Sequence, residues 1–189
     1  MTTFEEMGLA PNLLASLKEL GFESPTTIQE KAIPEILNSD RDLIGLAQTG
    51  TGKTAAFGLP LLQNLTASKQ PQALIMCPTR ELCLQITKDF NQYSKHLDPL
   101  GITAVYGGTA IGKQIKDLKR GSTIVVGTPG RLLDLINRGC LDLSAVGWTI
   151  LDEADEMLSM GFKEELDAIL ATTPDDKRTL LFSATMPKG

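Results

Sequence analysis

Ala47-Gln48-Thr49-Gly50-Thr51-Gly52-Lys53-Thr54 is the stretch in which residue type and spacing could most directly do chemistry. Gly50 and Gly52 let a backbone wrap tightly, so that successive N–H groups converge on an anion. A helix opening near Lys53 adds the positive end of its dipole. Lys53 supplies a point charge for the outer phosphates of a nucleotide, and the Thr54 hydroxyl is placed to ligate Mg²⁺. Ala47 stands where the usual phosphate-loop pattern has glycine, a small departure. Well downstream, Trp148-Thr149-Ile150-Leu151 ends in two acids, Asp152 and Glu153. Asp152 can hold the magnesium shell, largely through water, since Mg²⁺ dehydrates reluctantly. Glu153 can orient or deprotonate an attacking water, as phosphoryl transfer requires.

These residues need a frame that brings them to one edge. Six short apolar runs read as strands: 42–46, 73–77, 103–106, 123–126, 148–151 and 179–182. Nearly continuous apolar runs are expected of strands whose two faces are both covered by helices. Helix starts lie between them. Thr26, Thr79 and Thr128-Pro129 offer N-caps, the last with proline at the first helical position. This alternation predicts an α/β fold with an open, mostly parallel sheet that binds its ligand at the carboxyl ends of the strands.

Composition narrows the class. The 189 residues are 42% hydrophobic, enough to build one compact domain. The formal net charge is −5, so a nucleic-acid site must be local rather than a property of the whole surface. No run of about 18 apolar residues predicts a membrane span. The N-terminus has no basic segment followed by an apolar one, so no secretory signal is expected. Cys77, Cys83 and Cys140 are odd in number and form no CxxC pair, which argues against a disulfide framework or a zinc site. Reduced thiols fit a cytoplasmic protein. His96, the only histidine, reads as a solvated helix-end residue.

Asp152-Glu153-Ala154-Asp155 spells the signature of the DEAD-box RNA helicases, and the whole chain resembles the N-terminal RecA-like domain of that family. The resemblance implies a RecA-like P-loop fold and an ATP hydrolase whose cofactors are ATP and Mg²⁺. It assigns an adenine-binding segment within residues 1–30, in which Phe22, Pro25, Thr26 and Gln29 match and Phe4 resembles an isolated upstream aromatic. Gln29 would read adenine with its carboxamide, which can donate and accept at once; Phe22 would stack on the ring. Pro78-Thr79-Arg80-Glu81-Leu82, Gly107-Gly108 and Thr128-Pro129-Gly130-Arg131 match motifs that contact the RNA sugar–phosphate path without reading bases. Ser183-Ala184-Thr185 matches the motif that couples nucleotide to RNA, its hydroxyls expected on the carboxylates of Asp152 and Asp155.

The resemblance also implies a second RecA-like domain outside this chain, with a linker expected to begin after Met186-Pro187-Lys188-Gly189. The isolated domain is then expected to be monomeric and nearly inactive. An ATP-gated RNA clamp that remodels ribonucleoprotein without processive unwinding carries the same motifs. A P-loop ATPase acting on protein or DNA fits the Gln29 segment and the RNA motifs less well.

Overall fold

The computed structural model describes residues 2–186, so the end of the chain, where the linker is expected to begin, lies outside the described residues. Two helices lead the chain, α1 (Pro11–Glu19) and α2 (Thr27–Asn38). There follow β1 (Leu43–Leu46), α3 (Lys53–Asn64), β2 (Ala73–Met76), α4 (Arg80–Tyr93), β3 (Ile102–Val105) and α5 (Ile111–Lys119). The remainder is β4 (Ile124–Gly127), α6 (Pro129–Asn137), β5 (Trp148–Leu151), α7 (Ala154–Ser159), α8 (Lys163–Leu170) and β6 (Arg178–Ser183). Each strand falls within a residue or so of its sequence expectation. All pairings are parallel, in the order β1-β6-β5-β2-β4-β3.

The apolar runs alternate between two cores. Ala73, Ile75, Ile124, Val126, Ile150, Leu180 and Phe182 face α1 to α4. Leu74, Met76, Val125 and Leu151 face α6, α7 and α8, with α5 packed at the margin through Ile111, Ile115 and Leu118. Burial of both faces is what makes these strands apolar at every position. β1 departs from this rule. It is an edge strand, and Ile44 and Leu46 on its second face remain 59% and 56% exposed. No helix among the described residues is long and apolar enough to cross a membrane.

The strand order divides the carboxyl edge into two halves. β1, β6 and β5 present the Lys53 loop, Ser183 and Asp152 side by side. β2, β4 and β3 present the Pro78, Thr128 and Tyr106 turns. Strands lie about 4.8 Å apart, so β1 and β5 are separated by only about 10 Å across β6.

The first residue of β6 anchors the N-terminal helices. Arg178 is buried, and its guanidinium donates to Arg41 O (2.6 Å), Ile36 O (2.7 Å) and Glu35 O (3.3 Å). Two of these carbonyls belong to the last turn of α2, where helices leave acceptors unpaired. The guanidinium also lies 5.1 Å from the Trp148 ring centroid. Arg178→Ala strands the Arg41 and Ile36 carbonyls, whereas Glu35 O keeps the Ser39 N–H; each charged hydrogen bond is worth about 1.5–3 kcal/mol. We expect a loss of about 3 kcal/mol, read as a fall in Tm of roughly 10 °C. Arg178→Lys, lacking the planar fork, recovers only part of it. A Tm unchanged in Arg178→Ala would show that α2 needs no such anchor.

Candidate nucleotide and nucleic-acid site

The Lys53 loop follows β1 and turns through Gly50 and Gly52, both left-handed, with φ of 81° and 84°. Gly52 is the N-cap of α3 and sits against α2. A Cβ there would lie 2.4 Å from Gln29 Nε2 and 3.2 Å from Thr26 Oγ1, so the turn admits no side chain. Gln29 is buried and ties the two segments together. Its Oε1 accepts from Thr26 N (2.9 Å) and its Nε2 donates to Gly52 O (3.1 Å).

Lys53 begins α3 and points inward, 6% exposed, with Nζ 3.6 Å from Asp152 Oδ1. Nζ has no hydrogen-bond partner among the described residues. Asp152 is 2% exposed, and burial pushes its carboxyl up to about 6 against the opposing pull of Lys53. The next residue, Glu153, caps α7 at φ 54°, the only left-handed non-glycine residue among those described. Such a conformation costs on the order of 1–3 kcal/mol and persists where the surroundings enforce it.

Phe22, Gln29, Thr49, Gly50, Gly52, Lys53, Thr54, Asp152 and Glu153 line one cleft of about 280 Å³. Leu82, Asp89 and Tyr93 of α4 complete it; Leu82 was expected with the RNA-contacting motif, and Asp89 and Tyr93 were not foreseen. Tyr93 carries a usable signal: it packs edge-on to Phe22, with centroids 6.2 Å apart. Burial raises the pKa of both Asp89 and Tyr93. Phe4, Thr26, Gln48 and Thr51 stand behind or beside the cleft. Phe4 is buried against Phe22, with ring centroids 6.2 Å apart, and so supports that ring rather than reaching the cavity. Thr51 Oγ1 donates to Gln48 O (2.6 Å), bracing the loop from outside.

The strand-end hydroxyls meet one of their two expected partners. Asp155 Oδ2 accepts from Thr185 N (3.1 Å) and Thr185 Oγ1 (2.9 Å). Burial opposes ionisation of Asp155, but the bonds from Thr185 and the Glu156 backbone N–H prevail and hold its pKa below the ordinary value. Ser183 Oγ instead accepts from the Asp155 backbone N–H (3.3 Å) and donates to Thr185 O (2.6 Å). Neither hydroxyl bonds Asp152, whose carboxylate turns toward Lys53 and accepts from Glu153 N at 3.0 Å.

On the other half of the edge, Pro78, Arg80, Gly107, Thr128, Gly130 and Arg131 converge on one open groove, with Asp134 and Phe162. Gly108 (φ 79°) turns the backbone beside it, and a Cβ on Gly107 or Gly108 would meet nothing within 4 Å. Thr79 caps α4, its Oγ1 accepting from Leu82 N (3.2 Å), so this hydroxyl is already engaged. Thr128 caps α6 without a side-chain bond, which leaves its hydroxyl to face the groove. Glu81 is exposed in the first turn of α4, and Pro129 is buried at the start of α6. The Arg80 guanidinium lies 5.1 Å from the Tyr106 ring centroid.

Gln114 is the residue that holds this half together, a role that its place within a polar helical stretch does not reveal. It is buried on α5 and donates from Nε2 to Tyr106 O (3.1 Å) and Thr109 Oγ1 (3.3 Å). Its Oε1 accepts from Arg131 Nη1 (2.9 Å) and Tyr106 N (3.3 Å). Arg131 Nη2 also donates to Thr109 O (2.9 Å). One carboxamide thus locks the Gly107-Gly108 turn, α5 and Arg131 into a single unit.

Comparison with known proteins places this geometry in a family. The chain is 52% identical over 189 residues to "ATP-dependent RNA helicase DeaD" of Escherichia coli K12, covering all of this chain and 30% of that protein. It is 52% identical over 188 residues to "DEAD-box ATP-dependent RNA helicase CshA" of Bacillus cereus, covering 99% of this chain and 35% of that one. The chain therefore spans about a third of the length of these curated relatives. The crystal structure of a DEAD box protein from the hyperthermophile Methanococcus jannaschii superimposes with a TM-score of 0.94 at 48% identity. That match covers 99% of this chain and 51% of the solved one, and it establishes the fold as RecA-like. The DEAD/DEAH box helicase family model matches residues 26–189, every element from α2 onward, and with both halves of the carboxyl edge inside that match the chain belongs to this family.

Proposed function

We propose that this chain is the N-terminal ATP-binding domain, residues 1–189, of an ATP-dependent RNA helicase, in which Mg-ATP binding and hydrolysis drive RNA binding and local duplex unwinding. The carrying observation is the buried Lys53 ammonium, which has no hydrogen-bond partner and faces a cleft beside a buried carboxylate. A buried ammonium without a partner is costly. A polyphosphate in the cleft would supply the missing acceptors.

Adenine recognition falls to Gln29 and Phe22. The carboxamide has two donors and two acceptor sites. One of each is spent on Gly52 and Thr26, which leaves the donor–acceptor pair that adenine needs. Because Gln29 also grips Gly52 O, base binding and loop conformation are mechanically joined. The donor set also fits a magnesium ion. Thr54 and the poorly solvated Asp152 carboxylate would hold it, mostly through water, and a cation there would offset the burial that raises Asp152. When bound, Mg²⁺ neutralises charge on the phosphate oxygens. Glu153 orients the attacking water and accepts its proton. Thr185 and Ser183 hold Asp155, so a shift of the Asp152–Asp155 turn is carried to the end of β6.

The groove around Thr128, Gly107 and Arg131 is the RNA site. Open backbone, hydroxyls and arginines suit a sugar–phosphate chain rather than base edges. The remaining catalytic wall comes from a second RecA-like domain in the same protein. Arginine fingers supplied from such a wall are worth about 10³–10⁵ in rate. Residues 1–189 alone should therefore bind ADP weakly, hydrolyse little ATP and unwind nothing, while the full-length protein shows RNA-stimulated ATPase and strand displacement. Steady-state ATPase assays on both decide it. RNA-stimulated turnover by the domain alone at the full-length rate would refute the division of labour.

A further inference from the structure

We propose that the outer face of α5 is a second contact for the RNA backbone, carrying the strand onward from the Gly107-Gly108 turn. The inference rests on the RNA reading of the neighbouring groove and extends it to a surface outside every motif so far described.

The chain as a whole is acidic, with 23 acidic and 18 basic residues. Residues 111–120 reverse that balance: Lys113, Lys116, Lys119 and Arg120 stand against Asp117 alone. At 3.6 residues per turn, Lys113, Lys116 and Arg120 fall on one stripe, opposite Ile111, Gln114 and Leu118, which pack inward. The stripe is open to solvent, with the side chains of Lys113 and Arg120 86% and 68% exposed. It runs about 10 Å along the helix axis.

A basic helix face is often only solvated. Two further observations distinguish this one. Gln114 on its inner face clamps Tyr106, Thr109 and Arg131, so α5 is rigidly attached to the groove. Tyr106 and Thr109, on either side of the Gly107-Gly108 turn, also line a second hollow of about 490 Å³, together with Leu84, Ile102, Lys113 and Asp117. A backbone leaving the first groove past the glycine turn would pass this hollow, where Lys113 and Asp117 stand together. Asp117 pairs with Lys113 (3.0 Å) and Arg120 (3.4 Å) at the margin of the stripe. Exposed pairs of this kind are weak, and phosphates compete with them readily.

The test uses full-length protein with a non-hydrolysable ATP analogue and oligo(U) of about six and about twenty nucleotides, bound over a range of salt. The triple variant Lys113→Ala, Lys116→Ala, Arg120→Ala should weaken the longer RNA about tenfold or more. Its salt slope should fall by about 2, at ~0.7 for each lost phosphate contact on a single strand. Affinity for the short RNA and for ADP should not change. Swapping the charges conservatively (Lys113→Arg, Lys116→Arg, Arg120→Lys) should restore the longer RNA. Arg131→Ala should weaken both lengths. If the triple variant matches wild type on long RNA while Arg131→Ala still weakens both, the α5 contact is wrong and the groove stands; the face would then suit an acidic protein segment. If the triple variant weakens both lengths equally, these residues act by holding the groove, and the proposal fails. If Arg131→Ala changes neither, the RNA groove itself is misplaced and this inference falls with it.

Discussion

Glu153→Gln in the full-length protein should lose about 10²–10⁴ in ATP turnover while keeping its affinity for ATP and RNA, since that is the usual contribution of a positioned general base. The substitution keeps shape and removes the proton acceptor. Glu153 lines the cleft beside Lys53 and Asp152, and its backbone is held left-handed at φ 54° where the chain leaves β5 and enters α7. A bulky residue in that conformation is strained. Its persistence here is explained if the turn must aim one carboxylate into the cleft and the neighbouring Asp152 toward Lys53. Because glutamine shares the strain, folding should be unaltered, and Tm serves as the control. Single-turnover kinetics with saturating ATP separate a slow chemical step from slow release. Turnover within a few-fold of wild type would remove Glu153 from water activation and leave it a helix cap.

Sequence and structure agree most closely where the physics is local. Ala73–Met76 is apolar at all four positions because it is buried on both faces, and a run of that kind declares itself without a partner. The Lys53 loop declares itself too, since Gly50 and Gly52 are needed for left-handed turns whatever surrounds them. What stayed hidden depends on residues far apart in the chain. Arg178 reads as an ordinary charge before a strand, yet its three acceptors lie about 140 positions earlier. Gln114 reads as a polar residue within a helix, and only the fold brings Tyr106, Thr109 and Arg131 around it. Tyr93 reaches the Lys53 cleft from the far end of α4, fourteen residues long. The exposure of Ile44 and Leu46 was equally unreadable, because an edge strand and a central strand have the same composition when one face of each is packed. Ser183 was expected to bond a carboxylate and bonds a backbone N–H instead, because a serine hydroxyl serves as donor or acceptor and sequence alone leaves the choice open.

Removing the Lys53 ammonium tests the core of the proposed nucleotide site. Lys53→Ala should weaken Mg-ATP and ADP binding by about 100-fold or more, since separating a buried charge from its partner typically costs about 3–5 kcal/mol and each 1.4 kcal/mol is tenfold. Stability should respond far less, because two consequences oppose each other. The buried ammonium without a hydrogen-bond partner disappears, which favours the folded state. Asp152 loses the charge that restrains its pKa, already raised to about 6, and so shifts further toward its neutral form. Neutralisation spares the fold the burden of an unpaired carboxylate, but it removes the anion that would share a cation with the phosphates. Nucleotide affinity therefore suffers twice and the fold hardly at all. Lys53→Met, which keeps most of the volume, should bind as poorly as the alanine variant, and this separates lost charge from lost packing. Calorimetric titration of ADP against wild type and both variants, alongside their melting temperatures, reads the two effects separately. Wild-type affinity in either variant would mean that phosphates do not approach Lys53, and the cleft between β1 and β5 would need another occupant.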